Sequence, residues 1–146
     1  MRAVLKQEEV LQMFYLLLLM SLYFSWQDAR EQEISAKDFA LFFLIIAAIQ
    51  WQHLPSCLPF FLLALLARIQ AIGIGEGDFC LLALYSLYFD WFAIWGIVFL
   101  ASLLALFYLL VFRLFTNKWM KSLPFIPFLT MALMLYDNFI KVWLVY

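Results

Sequence analysis

The chain has 146 residues, of which 68% are hydrophobic, 21% aromatic and 13% charged. A soluble domain carries about 45–50% apolar residues and about 25% charged ones, so this composition excludes an ordinary soluble fold and predicts an all-α, polytopic membrane protein. The formal net charge of −1, with no basic patch or stripe, gives no support for nucleic-acid binding.

An apolar run from Val10 to Trp26 leads directly into Gln27-Asp28 without a small-residue cleavage site, so it reads as a retained first span rather than a signal peptide. A bilayer core of about 30 Å needs about 20 apolar residues per helix, and six segments follow on that basis. The first runs from Val10 to Gln27, the second from Lys37 to Gln52 and the third from Leu58 to Ile72. The stretch from Phe79 to Phe112 is apolar apart from Asp90 and Gly96. It would make a helix of roughly 51 Å, too long for one span, so a tight turn near Asp90-Trp91 is expected to divide it. The fourth helix then keeps only ~11 residues in the membrane, well short of a full span. The sixth begins after Pro124-Phe-Ile-Pro127 and continues toward Leu144, and the whole chain, 1–146, forms one transmembrane domain.

Lys and Arg favour cytoplasmic loops. The odd-numbered connections and their flanks hold Arg30, Lys37, Arg68, Arg113, Lys118 and Lys121, against Arg2, Lys6 and Lys141 on the other side. Odd loops are therefore expected in the cytoplasm and both termini outside. Cys57 and Cys80 then fall on opposite faces, which argues against a disulfide, and two thiols with the single His53 do not supply a zinc site. No metal or cofactor is expected.

That topology carries Asp28 and Asp78 to the same, cytoplasmic face, each at the end of an apolar run. Charge at such a place is costly and marks function. Two carboxylates sharing a site do not both ionise comfortably, so one keeps a proton while the other acts as base on a water. Asp28 ends the first span, where the helix dipole disfavours negative charge. Asp78 opens the fourth, where the dipole favours it. By this reasoning Asp78 is the base and Asp28 the acid. Gly73, Gly75 and Gly77 precede Asp78. They either merely turn the chain or let an extended substrate lie against the loop, with free amides polarising its carbonyl.

Three segments carry a resemblance. Gly75-Glu-Gly-Asp78 matches the Gly-x-Gly-Asp motif of intramembrane aspartic proteases. Asp28-Ala-Arg30-Glu-Gln-Glu-Ile34 resembles the Asp-x-Arg-x-x-x-Ile-Pro segment of type IV prepilin peptidases, and Leu123-Pro-Phe-Ile-Pro127-Phe-Leu129 resembles that family's Pro-Phe-x-Pro-x-Leu segment. The competence-type leader peptidases look most similar. The resemblance implies a six-helix aspartic endopeptidase in the cell membrane, cutting the leader of prepilins or pseudopilins at the cytoplasmic face, with Asp28 and Asp78 catalytic. The implied substrate carries a basic leader and a hydrophobic helix.

Three departures stand out. Ser35 replaces the family's proline after Ile34, Cys80 stands where many members have lysine, and the cytoplasmic insert with paired Cys-x-x-Cys motifs is missing. In bifunctional relatives that insert goes with N-methylation, so peptidase activity alone is expected. Arg30 reads as a positive-inside residue or a substrate contact. Glu31, Glu33, Asp38 and Glu76 read as a solvated rim whose charge can attract a basic leader, although Glu76 alone is read as incidental. Asp90 marks a turn, His53 an interfacial loop, and Asp137 and Lys141 a helix pair. The aromatic residues read as lipid-facing bulk and interfacial belts. A catalytically idle assembly factor and a small proton or cation transporter component remain alternatives.

Overall fold

The computed structural model describes residues 2–31, 34–70, 75–116 and 123–144, with side chains for 12–31, 34–69, 75–116 and 123–136. The expected pairing of the Asp137 and Lys141 side chains, and the positions of Glu33, Gly73, Lys118 and Lys121, lie outside the described residues. Within them the protein is all-helical, with α1 Arg2–Glu31, α2 Ala36–Ile49, α3 Leu54–Gln70, α4 Glu76–Ser86, α5 Trp91–Thr116 and α6 Ile126–Leu144. A single 3-10 turn, Trp51–His53, leads into α3 and leaves His53 exposed.

The expected break in the long apolar stretch is present. Backbone bonds from Tyr88 and Phe89 N–H to the Tyr85 carbonyl close α4, and the Ile94 N–H to the Asp90 carbonyl opens α5. The sixth helix differs from expectation, starting at Ile126 with Pro127 inside its first turn. Proline is tolerated there because that N–H has no partner within the helix. Helix α1 also extends past both ends of the expected first span.

Helix α4 is the axis of the packing. Every residue from Leu81 to Leu87 is buried, and a helix that is apolar all round is one enclosed on every side. Phe14, Leu17 and Phe24 of α1, Ile46 of α2, Phe60 of α3, Ile94 and Ile97 of α5, and Leu129 and Leu133 of α6 join it in one core. Helix α3 turns one stripe inward, with Cys57, Phe60, Ala64 and Ala67 buried at helical spacing. Gly96 lets α6 approach α5 closely, since a Cβ there would stand 2.9 Å from the Tyr136 ring.

Part of the aromatic content is structural rather than lipid-facing. Phe24 and Phe42 meet edge to face with centroids 5.5 Å apart, and Phe43 meets Phe61 at 5.0 Å. These contacts and the Phe39–Phe61 pair stitch α1 to α2 and α2 to α3. The outer surface is as apolar as the core, with Phe92, Leu114 and Phe115 each at least 80% exposed. Water-soluble monomers rarely show such surfaces. Among the described residues, Trp51–Ile69 and Trp91–Thr116 are the two helical stretches long and apolar enough to cross a membrane. Helices α2 and α4, at 14 and 11 residues, fall below that length.

A polar clasp sits inside this core. The Tyr85 hydroxyl donates to Ser21 Oγ at 3.0 Å, which donates in turn to the Leu17 carbonyl at 2.8 Å. Thr130 Oγ1 donates to the carbonyls of Ser21 and Ile126, at 3.1 and 3.0 Å. Hydrogen bonds between helices in a membrane average about 0.6 kcal/mol, so the clasp contributes more to register than to stability.

Candidate active site

Three helix ends meet at one place. Asp28 lies in the last turn of α1 and is 8% exposed. Its Oδ2 accepts the backbone N–H of Ile126, the first residue of α6, at 3.1 Å. The N-terminal amides of a helix have no partner within it and carry partial positive charge, so they suit an anionic acceptor. Asp78 lies in the first turn of α4, with Gly75 as N-cap in extended backbone at φ −62° and ψ 131°. The Asp78 carboxylate folds back toward the loop, and a Cβ on Gly75 would stand 3.2 Å from its Oδ2.

Gly77 explains why this loop needs a residue without a side chain. A Cβ there would meet Ile34 Cδ1 at 2.9 Å, Ile34 Cγ1 at 3.0 Å and Ile126 Cδ1 at 3.6 Å. Ile126 therefore touches both halves of the site, through its amide at Asp28 and its side chain at Gly77. The three segments singled out in the sequence, Asp28 to Ile34, Gly75 to Asp78 and Leu123 to Leu129, converge here.

Both aspartates stand one residue outside the apolar runs that begin and end beside them, 10–27 and 79–112. Burial pushes the Asp28 carboxyl above the usual carboxylate range, and the Ile126 amide works against that rise. Burial raises Asp78 to about 7, the negative charge of Asp28 adds to it, and the Gly75 amide opposes. The Asp78 shift argues against the assignment made from helix dipoles. Asp78 is the carboxyl that keeps its proton near neutrality. Asp28, held by the N-terminus of a third helix, is the better-supported anion. Chain order gave no sign of that donor, which lies 98 residues away.

Arg30 is not brought to the pair. Two residues along a helix point to different sides, and its guanidinium packs over the Trp26 ring, 5.5 Å from the centroid, on the exposed side of α1. Ser35, in the family's proline position, has two uses for being serine. Its N–H donates to Gln27 Oε1 at 3.1 Å, a bond proline would lack, and its hydroxyl caps α2 by accepting the Asp38 N–H at 3.4 Å. It thereby ties the loop to the residue beside Asp28.

Glu76 pairs with Arg68 at 3.8 Å, with side chains 49% and 72% exposed. An exposed pair of this kind contributes about 0.2–1 kcal/mol. Glu76→Gln is therefore expected to leave thermal stability within about 4 °C of the parent, measured by a melting curve in detergent. Cys57 and Cys80 are free thiols. Among the described residues no three His, Cys, Asp or Glu side chains gather as metal ligands.

Two buried or half-buried carboxylates at converging helix ends, in a bundle apolar inside and out, define a membrane protein with a paired-aspartate site. A family model described as the type IV leader peptidase family matches residues 15–110, the greater part of the chain and a stretch that includes both aspartates, and the protein belongs to that family. Searches of curated proteins and of solved structures returned no match. Family membership makes this a membrane peptidase of the leader-peptidase type.

Proposed function

We propose that the protein is an aspartic endopeptidase that removes the leader of type IV prepilin-like proteins at the cytoplasmic face of the cell membrane. In this reading the six helices form a multi-pass bundle and Asp28 and Asp78 are the catalytic pair. The observation that supports it best is the meeting of three sequence-distant segments at Ile126, which brings the two carboxylates close enough for one to raise the pKa of the other.

The chemistry follows from which carboxyl holds the proton. Ionised Asp28 takes a proton from a water, whose oxygen bonds to the scissile carbonyl carbon. Protonated Asp78 gives its proton to the carbonyl oxygen, producing a tetrahedral diol. Collapse breaks the C–N bond as Asp28 passes its proton to the leaving nitrogen and Asp78 recovers one from a diol hydroxyl. Gly75 and Gly77 keep the loop bare, so that an extended peptide can reach both groups. Arg30, exposed at the rim, is a contact for the substrate rather than for the reacting atoms. The substrate is a protein with a basic leader followed by a hydrophobic helix, drawn by the negative charge of Glu31 and Asp38. N-methylation of the product is outside this protein's activity.

The pH dependence follows in sign. The reaction needs Asp78 protonated and Asp28 ionised, so the rate is expected to fall as pH rises through about 7, where Asp78 loses its proton. It falls on the acid side as Asp28 gains one. Cleavage of a prepilin-like peptide by the protein in lipid vesicles measures this. A rate still climbing well above that pH contradicts Asp78 as the acid. Vesicles that show no cleavage at any pH but conduct protons would favour the transporter reading.

A further inference from the structure

We infer that Tyr85 is a positioning residue that sets the separation of Asp28 and Asp78 through its clasp with Ser21 and Thr130. The inference rests on the reading above only for its kinetic consequence; its geometric content stands separately.

The clasp joins the three helices that build the site. Tyr85 lies on α4, seven residues after Asp78, and Ser21 lies on α1, seven residues before Asp28. Seven residues are about two helical turns, or about 10 Å, so the Tyr85–Ser21 bond links the two helices at the same distance from both carboxylates. Thr130 lies one turn along α6 from Ile126, whose amide holds Asp28, and its hydroxyl bonds to the carbonyls of both Ser21 and Ile126. All three side chains are buried, Tyr85 and Ser21 completely and Thr130 to 2% exposure.

What surrounds them does not fix register. The neighbours of α4 in the core are apolar side chains such as Leu17, Phe60, Ile94 and Leu133, whose contacts are non-directional and tolerate small axial slips. Gly75 caps α4 and Gly77 lies in its first turn, and glycine is the residue type that constrains backbone least. Helix α4 has 11 residues, too few to be located by a long interdigitated seam. A directional bond from its last turn to α1 is the element that prevents α4 from sliding or rotating relative to Asp28. Misplacement of reacting groups by about 1 Å can cost about a hundredfold in rate.

Tyr85→Phe keeps the buried ring and removes the donor. Its cleavage kcat is expected to fall tenfold or more, with KM within about twofold, because substrate binding is not what changes. Ser21→Ala is expected to act likewise. The double variant should be no slower than the worse single one, as for residues acting in one network. A second readout does not need cleavage. In a Cys57→Ala, Cys80→Ala background, Asp28→Cys with Asp78→Cys gives two thiols that a short bifunctional maleimide joins. Adding Tyr85→Phe is expected to slow that crosslinking severalfold while leaving the amount of folded protein unchanged. Crosslinking unaffected by Tyr85→Phe overturns the inference whatever the cleavage rate. Slowed crosslinking in a protein whose native form cleaves nothing upholds the clasp and removes the peptidase reading instead.

Discussion

Asp28→Asn and Asp78→Asn are each expected to stop processing of a co-expressed prepilin-like protein, with a loss of about 10²–10⁴-fold or more, while the protein accumulates in the membrane at its normal level. General acid–base groups typically contribute this much, and here each carboxyl both gives and receives a proton in the cycle. The two variants differ in stability for a physical reason. Asparagine at 28 can still accept the Ile126 N–H through its amide oxygen, so the contact between α1 and α6 survives in weaker form. Asparagine at 78 replaces a carboxyl whose pKa is raised to about 7 and which is therefore about half neutral at that pH, so the fold is expected to tolerate it well. Immunoblots of the substrate before and after leader removal measure the outcome. Continued processing in either variant removes the dyad.

Gly77 carries the second large effect. A methyl group there must displace the Ile34 side chain, which would lie 2.9 Å away, and a longer side chain must also move Ile126 at 3.6 Å. Overpacking of this sort costs about 1–3 kcal/mol, and here the displaced residues are those that hold Asp28 and flank Asp78. Gly77→Ala is expected to lower cleavage about tenfold and Gly77→Leu about a hundredfold. The test of cause is rescue. Gly77→Ala combined with Ile34→Ala removes the atoms the new methyl meets, and is expected to regain most of the activity that Gly77→Ala loses. A double variant as slow as Gly77→Ala alone would mean that the loop glycine acts through backbone freedom and not through packing.

Much of this architecture was legible in the sequence, because it depended on local rules. The all-helical content, the break near Asp90 and the brevity of α4 follow from apolar run lengths set against helix rise. The aspartates and glycines were found because charge and glycine clusters are conspicuous beside apolar runs. What escaped was set by tertiary contact. The Ile126 amide on Asp28 comes from a third helix N-terminus, and burial more than either helix dipole raises Asp78, neither of which α1 and α4 alone reveal. Tyr85, Ser21 and Thr130 read as ordinary members of apolar runs, and nothing in their spacing announces that they meet. Arg30, read from the sequence as a positive-inside residue or a substrate contact, packs over Trp26, a stacking that its charge alone does not announce. Among the described residues two helical stretches satisfy the length and hydropathy of a span; α4 departs from that rule as a helix enclosed in the protein core, whereas α2 buries only Ile46 and Ala47.

Infrared titration of the carboxyl groups in lipid vesicles tests most directly whether one acid senses the other. The native protein is expected to show a carboxyl C=O band that disappears as pH rises through about 7 and is absent from Asp78→Asn. In Asp28→Asn, with the neighbouring anion gone, the Asp78 band is expected to titrate at lower pH. A midpoint for Asp78 that does not move on removal of the Asp28 charge would show that the two carboxylates do not share a site, contradicting the proposed mechanism at its root.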